Sequence, residues 1–332
     1  MGIWLREAGI DSFEIFEKAS AVGGTWRDNR YPGVACDVPA QYYCYPFAPN
    51  TNSDTIFAPG PRLWDYLEDM TTRFDLRRHL RLDTDIELAE WTGRDWILTT
   101  TSGETHRADI VVGAVGRLRV PRFPDIAGLS GFGGRVVHAA QWDESLQLEG
   151  KRVGLIGTGS SAVQILSALV DIVDHIDVFQ RTPQWVFPWK NTDIDPEILA
   201  ETRQSEEAAI RLYSEAGARF RFLSEGIITG GSAQERNAAC MAALDTVKNP
   251  VLKAKLTPDY EVGCKRMVVS GTFYDDVQKP NVSLVTEGIV RVEADGVRMK
   301  DGALRPLDVI VLATGYHADS YLRPMQVKGE DG

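Results

Sequence analysis

The sequence predicts an α/β fold in which strands alternate with helices. Three apolar segments indicate it: residues 153–156, which run into a glycine turn and then a stretch at helical spacing; residues 13–17, which alternate in hydrophobicity; and residues 308–316, which contain Ala-Thr-Gly. Short apolar or alternating runs are typical of strands, and strands followed by helical patterns favour βαβ units.

The turn after residues 153–156 has Gly-x-Gly-x-x-Ala spacing. Gly157 permits a tight turn, Gly159 lets the backbone approach a pyrophosphate, and Ala162 is small enough for close packing of helix on strand. The phosphates would lie on free N–H groups at the helix N-terminus, beside Ser160 and Ser161. Glycine-rich turns are common, but the strand before and the helix after this one favour a dinucleotide-binding (Rossmann-like) fold.

The end of the next strand indicates which dinucleotide binds. An NAD-specific site has an acidic residue about 20 residues beyond the glycine turn. This chain instead has Gln180-Arg181-Thr182, and Asp177 lies in mid-strand, where it is less well placed. A solvated arginine is the ordinary interpretation of a single charge. The missing acid nevertheless favours Arg181 and Thr182 as ligands of the 2′-phosphate of NADPH.

Composition and charge exclude several classes of protein. The 332 residues suffice for two domains, and the net charge of -11 argues against nucleic acid or an anionic membrane as partner. No apolar run approaches the roughly 20 residues of a membrane helix. The four cysteines form no Cys-x-x-Cys pair and do not cluster with the five histidines, so we expect no metal and reduced thiols in a cytoplasmic protein.

The remaining elements are predicted from local patterns. Glu17 ends the strand at residues 13–17, where a dinucleotide fold places the acid that binds ribose hydroxyls; a solvated strand end is the simpler alternative. Other segments are predicted by their periodicity and turn residues: a helix at 61–74, strands at 86–91, 96–100, 109–115 and 284–292, a linker at 119–125, and a helical insertion at about 194–252.

A spaced pattern precedes the glycine turn. Phe132, Gly134, His138 and Trp142 form Phe-x-Gly-x-x-x-His-x-x-x-Trp. It resembles the fingerprint of type I Baeyer–Villiger monooxygenases, flavoproteins with two dinucleotide-binding domains that use FAD and NADPH. Related flavin-containing and N-hydroxylating monooxygenases usually lack the final tryptophan. Each residue alone would be interpreted as a core aromatic or a satisfied surface histidine, so the full spacing carries the resemblance.

A second segment, residues 23–39, is similar to the flavin-facing part of the same family. The resemblance implies that Gly24, Thr25 and Trp26 line the isoalloxazine and that Asp37 lies near its reactive edge. Without the resemblance, a loop rich in glycine and proline with a turn aspartate is the default.

A third similar segment, residues 256–266, ends in Lys265-Arg266. The resemblance implies that Arg266 stands over the flavin, oriented by Asp37, and that Lys265 contributes to NADPH binding. An exposed basic pair is the alternative. His138 and Trp142 are expected to couple the domains rather than to touch substrate.

The resemblance implies a domain division and an activity. Residues 1–145 and 308–332 would form the FAD-binding domain, and 146–307 the NADPH-binding domain with its insertion. The family's FAD glycine turn would precede Met1 and a long segment would follow Gly332, so we expect an incomplete FAD domain. The implied reaction converts a ketone to an ester or lactone with NADPH and O2.

Several alternatives stay open. They are an N- or S-oxygenating flavin monooxygenase and an inactive truncated fragment that retains only NADP binding. A disulfide reductase needs a close redox pair, which the spacing of Cys36 and Cys44 does not provide. The sequence specifies neither the ketone nor the oligomeric state.

Overall fold

The predicted α/β fold is confirmed by a computed structural model, which describes residues 1–228 and 233–331. Its largest sheet has five parallel strands. In spatial order they are Val282–Val285, His175–Phe179, Arg152–Ile156, Val309–Leu312 and Arg135–His138. All four residues of Val309–Leu312 are buried, as expected for a parallel strand covered on both faces.

Alternate residues of the sheet face two separate cores. Val309 and Val311 join one apolar cluster, which includes the helix Ser160–Leu169, and Ile310 and Leu312 join another on the opposite face. Because successive side chains of a strand point to opposite faces, the continuous apolar run fills both cores.

By proximity of backbone atoms the chain divides into two units. Unit one comprises Met1–Asp28, Leu63–Arg122 and Tyr316–Gly332, and unit two comprises Asn29–Arg62 and Phe123–Gly315. The helical elements of unit one are Gly2–Glu7, Thr25–Asp28, most of Gly60–Arg73 and the 3-10 turn Arg77–His79. Its strands form a parallel pair, Ile15–Phe16 with Leu80–Arg81, and a four-stranded sheet. The spatial order of that sheet is Gln326–Lys328, Ile86–Trp91, Trp96–Thr100 and Thr105–Ala108.

Unit two adds further elements to the five-stranded sheet. They are the 3-10 turns Leu129–Gly131 and Ala139–Gln141, the parallel pair Val186–Phe187 with Val268–Val269, the helix Phe273–Asp276, and the antiparallel strands Ile289–Glu293, Gly296–Met299 and Leu304–Pro306.

The predicted insertion is helical. It contains Pro196–Gln204, Glu206–Ile228, Ala233–Leu244 and Pro250–Leu256; residues 229–232 of this segment lie outside the described residues. Asp195 caps the first helix by accepting a hydrogen bond from the Glu197 N–H at 2.8 Å, ahead of a proline at its start.

Two strand predictions are wrong in detail. Residues 109–115 form no strand; the strand lies earlier, at Thr105–Ala108. Strands need backbone partners, and no strand in the described part of the chain pairs with 109–115, where Ile110 is 79% exposed. Residues 284–292 divide between two strands that belong to different sheets.

Among the described helices, none combines the length and apolar character needed to cross a bilayer.

Candidate nucleotide-binding and active site

The glycine turn follows the central strand Arg152–Ile156. Gly157 has φ +129°, and a Cβ built on it would lie 2.4 Å from the carbonyl oxygen of Ala313. Its N–H donates to the carbonyl of Phe179 at 3.2 Å. Both the left-handed backbone and the close approach therefore require glycine here.

The helix after this turn presents an open N-terminus. Gly159 is the N-cap, no side chain of the described residues caps it, and a Cβ added there would meet open space. Ser160 and Ser161 are the first helical residues, and Ala162 is buried against the core. The first N–H groups of a helix lack partners within the helix and attract anions, so this end fits a pyrophosphate.

Hydrogen bonds connect the glycine turn to the residues predicted to select NADPH. Thr158 Oγ1 donates to the carbonyl of Thr182 at 3.0 Å, and Tyr260 Oη donates to the carbonyl of Pro183 at 3.1 Å. Lys265 Nζ lies 4.2 Å from the centroid of the Tyr260 ring. Thr182 and Lys265 are thus connected to the turn through one continuous set of contacts.

Arg181 is the exposed charged residue at this strand end. Gln180 is buried and its amide donates to the carbonyl of Lys255 at 2.6 Å. Asp177 is buried and pairs with Arg305 at 2.8 Å. Since both side chains are engaged inside unit two, neither is free to accept hydrogen bonds from a ribose.

Asp37 and Arg266, 229 residues apart in the chain, form an ion pair. The Arg266 side chain is 75% exposed and that of Asp37 only 20%. The carboxylate therefore anchors an otherwise exposed guanidinium. Burial raises the pKa of the neighbouring Cys36 thiol to about 12, which keeps this sulfur protonated and unreactive at neutral pH.

Four of the predicted flavin residues lie in unit one. Gly24 has φ +46° and precedes the short helix Thr25–Asp28. In this helix the backbone N–H of Trp26 donates to the Gly23 carbonyl at 3.1 Å. Thr25 is the first residue of that helix. Glu17 Oε1 accepts from the Ala19 N–H at 2.9 Å and lies 3.4 Å from Arg27.

The fingerprint residues occupy structural positions in unit two. Phe132 is buried, and a side chain at Gly134 would lie 2.2 Å from the carbonyl oxygen of Asp308. His138 is 3% exposed at the end of its strand; its Nδ1 accepts from the Ala140 N–H at 3.1 Å, and its Nε2 lies 3.4 Å from Thr314 Oγ1. Trp142 packs against the core around Ser160–Leu169. His138 is therefore not a surface histidine.

Sequence reasoning missed two residues beside the site, Tyr31 and Gln164. Their side chains hydrogen-bond each other at 2.9 Å, although they lie 133 residues apart. Tyr31 stands inside the 23–39 segment and Gln164 in the helix after the glycine turn, but neither position carries a signal that would pair them.

Comparison with known proteins identifies the class. The profile of the flavin-binding monooxygenase-like family matches residues 7–206. The chain therefore belongs to this family.

Within it, the resemblance to Baeyer–Villiger monooxygenases is confirmed. The chain is 38% identical to a Baeyer–Villiger monooxygenase of Streptomyces coelicolor over 346 residues that cover 99% of this chain and 64% of that protein. An uncharacterized monooxygenase of Mycobacterium tuberculosis is 41% identical, covering 96% and 64%. The structure of cyclohexanone monooxygenase from Rhodococcus sp. Phi1 bound to NADP+ superposes with a TM-score of 0.85 at 32% identity, covering 100% of this chain and 72% of that one. The chain thus spans about 64% of the length of these two sequence relatives.

Proposed function

We propose that this chain carries the NADPH-binding domain and the catalytic arginine of a Baeyer–Villiger monooxygenase, which converts a ketone to an ester or lactone with NADPH and O2. The observation that carries the proposal is the Asp37–Arg266 ion pair in the same unit as an open glycine turn. In this proposal residues 146–307 bind NADPH, with the insertion at about 194–252, and residues 1–145 with 308–332 contribute to FAD binding.

The geometry of unit two supports the proposed binding of NADPH. The pyrophosphate would lie on the helix N-terminus at Gly159, Ser160 and Ser161, where the backbone leaves open space. Arg181 and Thr182 would bind the 2′-phosphate, with Lys265 contributing a second positive charge. The planar guanidinium matches a phosphate through paired hydrogen bonds.

FAD binding would use Glu17, Gly24, Thr25 and Trp26, and the open space beside Gly24 fits a flat ring at this turn. Bound FAD would accept a hydride from NADPH and, with O2, supply the oxidant. Arg266 would provide a fixed positive charge for the oxyanion that develops on substrate, and Asp37 would hold that charge in place. A preorganised ion pair stabilises such charge without reorganisation during the reaction.

Product analysis tests the proposed reaction. A form of the protein extended to the full length of its relatives, supplied with saturating FAD, NADPH and O2, is incubated in parallel with a cyclic ketone, a tertiary amine and a sulfide. The proposal expects lactone from the ketone as the main product. Oxygenation of only the amine or the sulfide would assign the chain to the N- or S-oxygenating branch instead.

Arg181→Ala is expected to weaken NADP+ binding while leaving NAD+ binding nearly unchanged. A charged hydrogen bond contributes roughly 1.5–3 kcal/mol, which corresponds to about a 10- to 150-fold loss in affinity for NADP+. Calorimetric titration with both nucleotides measures this. Arg211→Ala, which removes an exposed arginine paired with Glu201 on a helix, is the matched control. Equal losses for NADP+ and NAD+ would show that Arg181 does not read the 2′-phosphate.

The 332-residue chain by itself is expected to hold FAD weakly or not at all. The FAD pyrophosphate needs a glycine turn at a helix N-terminus. In the described part of unit one, the strand Ile15–Phe16 leads to Glu17 rather than to such a turn, and the helix Thr25–Asp28 has only four residues. Gel filtration followed by flavin absorbance measures retention, with NADP+ binding as the check that the preparation is folded. A yellow protein with stoichiometric FAD would refute the expectation.

A further inference from the structure

The loop that ends at Asp37 packs directly on the helix that follows the glycine turn. Gly33 has φ +79°, and a Cβ built on it would lie 2.7 Å from the Gln164 carbonyl oxygen and 3.0 Å from the Ala168 Cβ. No other residue allows so close an approach with that backbone. The loop and the helix are therefore in backbone contact.

Three side-chain hydrogen bonds reinforce this contact. Ser161 Oγ donates to Tyr31 Oη at 3.2 Å, and Tyr31 Oη donates to Gln164 Oε1 at 2.9 Å. Gln164 Nε2 donates to the carbonyl of Ala35 at 3.0 Å. Tyr31 is 6% exposed and its ring belongs to the core of unit two. Hydrogen bonds in such a poorly hydrated place are costly to leave unmade, so the three groups hold one arrangement.

This network connects two parts of the proposed site. Ser161 belongs to the first turn of the helix, where the dinucleotide phosphates would lie. Ala35 is two residues before Asp37, which anchors the exposed guanidinium of Arg266. A short series of bonded groups thus connects the first helical turn to Arg266.

We propose that Tyr31 and Gln164 are positioning residues that couple occupancy of the dinucleotide site to the placement of Asp37 and Arg266. The proposal rests on the proposed function, because NADPH is the ligand that would order the first turn beside Ser161. It assigns the two residues no contact with the reacting atoms. Bound nucleotide tightens the loop, and the loop fixes the catalytic charge.

Hydrogen exchange on the 332-residue chain, with and without NADP+, tests the coupling. The Val34 N–H donates to the Tyr31 carbonyl at 3.2 Å and the Cys36 N–H to the Ala58 carbonyl at 2.9 Å, so their exchange reports on opening of the loop. NADP+ is expected to slow exchange of a peptide covering residues 33–38. In Tyr31→Phe, which keeps the buried ring, this NADP+-dependent slowing is expected to fall by roughly 2- to 10-fold, the range of one net hydrogen bond.

Two further variants keep the test decisive. Gln164→Leu removes the bonds to both Tyr31 and Ala35 and is expected to lose more of the slowing than Tyr31→Phe. Ser167→Ala removes a bond of 2.6 Å to Asp276 from the same helix and is expected to retain the wild-type effect. The comparison uses the difference between bound and free protein, which a general loss of stability does not mimic.

The outcomes separate the coupling from the proposed function. Absence of NADP+ binding in the wild-type chain contradicts the proposed function itself. Normal NADP+ binding with equal slowing of residues 33–38 in wild type, Tyr31→Phe and Gln164→Leu overturns the coupling alone. The same conclusion follows if Ser167→Ala loses as much as Gln164→Leu.

Discussion

In a form of the enzyme extended to the full length of its relatives and loaded with flavin, replacing Arg266 by alanine is expected to abolish ketone oxygenation while reduction by NADPH survives. Hydride transfer builds no oxyanion, whereas attack on the ketone places negative charge on oxygen. Loss of one donor at such a charge lowers kcat by about 10²- to 10³-fold in known oxyanion sites. Oxygen consumed without product should appear as hydrogen peroxide. Stopped-flow reduction and product yield, measured on the same variant, check both halves of this expectation.

Arg266→Lys distinguishes charge from geometry. Lysine retains the positive charge but not the planar donor fork, so it is expected to restore little oxygenation. Arg211→Ala, an exposed arginine outside the proposed site, should behave as wild type. If Arg266→Ala still converts ketone to ester with near-normal coupling, the catalytic arginine lies elsewhere.

Gly157→Ala is expected to destabilise unit two and to abolish measurable NADP+ binding. The substitution places a Cβ 2.4 Å from the Ala313 carbonyl oxygen on a backbone with φ +129°. Backbone strain alone costs about 1–3 kcal/mol, and the collision must also displace the strand Val309–Leu312 or the turn itself. Urea denaturation measures the lost free energy of unfolding, and calorimetry measures the lost affinity.

Gly150→Ala is the matched control for that substitution. Gly150 also has a left-handed backbone, with φ +66°, but its Cβ would meet open space. The control therefore carries the strain without the collision or the position in the turn. It should lose some stability and keep NADP+ binding; an equal loss of binding in both variants would contradict the assignment of Gly157 to the nucleotide site.

The strand, glycine turn and helix around Gly157 were predictable because each element has its own local signal. Apolar periodicity predicts the strand Arg152–Ile156 and the helix Ser160–Leu169, and glycine spacing predicts the turn between them. Local pattern and tertiary packing agree there, which is the situation in which sequence reasoning succeeds.

Residues 109–115 illustrate the opposite case. Their short apolar run suggests a strand, but such a run does not specify a partner, and the hydrogen-bonded strand of this region is Thr105–Ala108. The antiparallel strands Gly296–Met299 and Leu304–Pro306 were missed, because elements of three or four residues give too short a pattern to read.

The candidate site contains some residues that local sequence patterns predict and others that only the folded chain brings together. The glycine turn and Arg181 follow from spacing along one βαβ unit. The Asp37–Arg266 pair joins residues 229 positions apart, and only the family resemblance brought them together before the structure. Tyr31 lies inside a segment that carries the resemblance, but nothing in that segment pairs it with Gln164, so their hydrogen bond emerges only from the folded chain.

Calorimetric titration of the 332-residue chain with NADP+ and NAD+ tests the central claim most directly, because it needs neither flavin nor substrate. The open helix N-terminus at Gly159 and the exposed Arg181 lead us to expect one saturable NADP+ site per chain and clearly weaker binding of NAD+. Absence of saturable binding by either nucleotide, or equal affinity for both, would contradict the account.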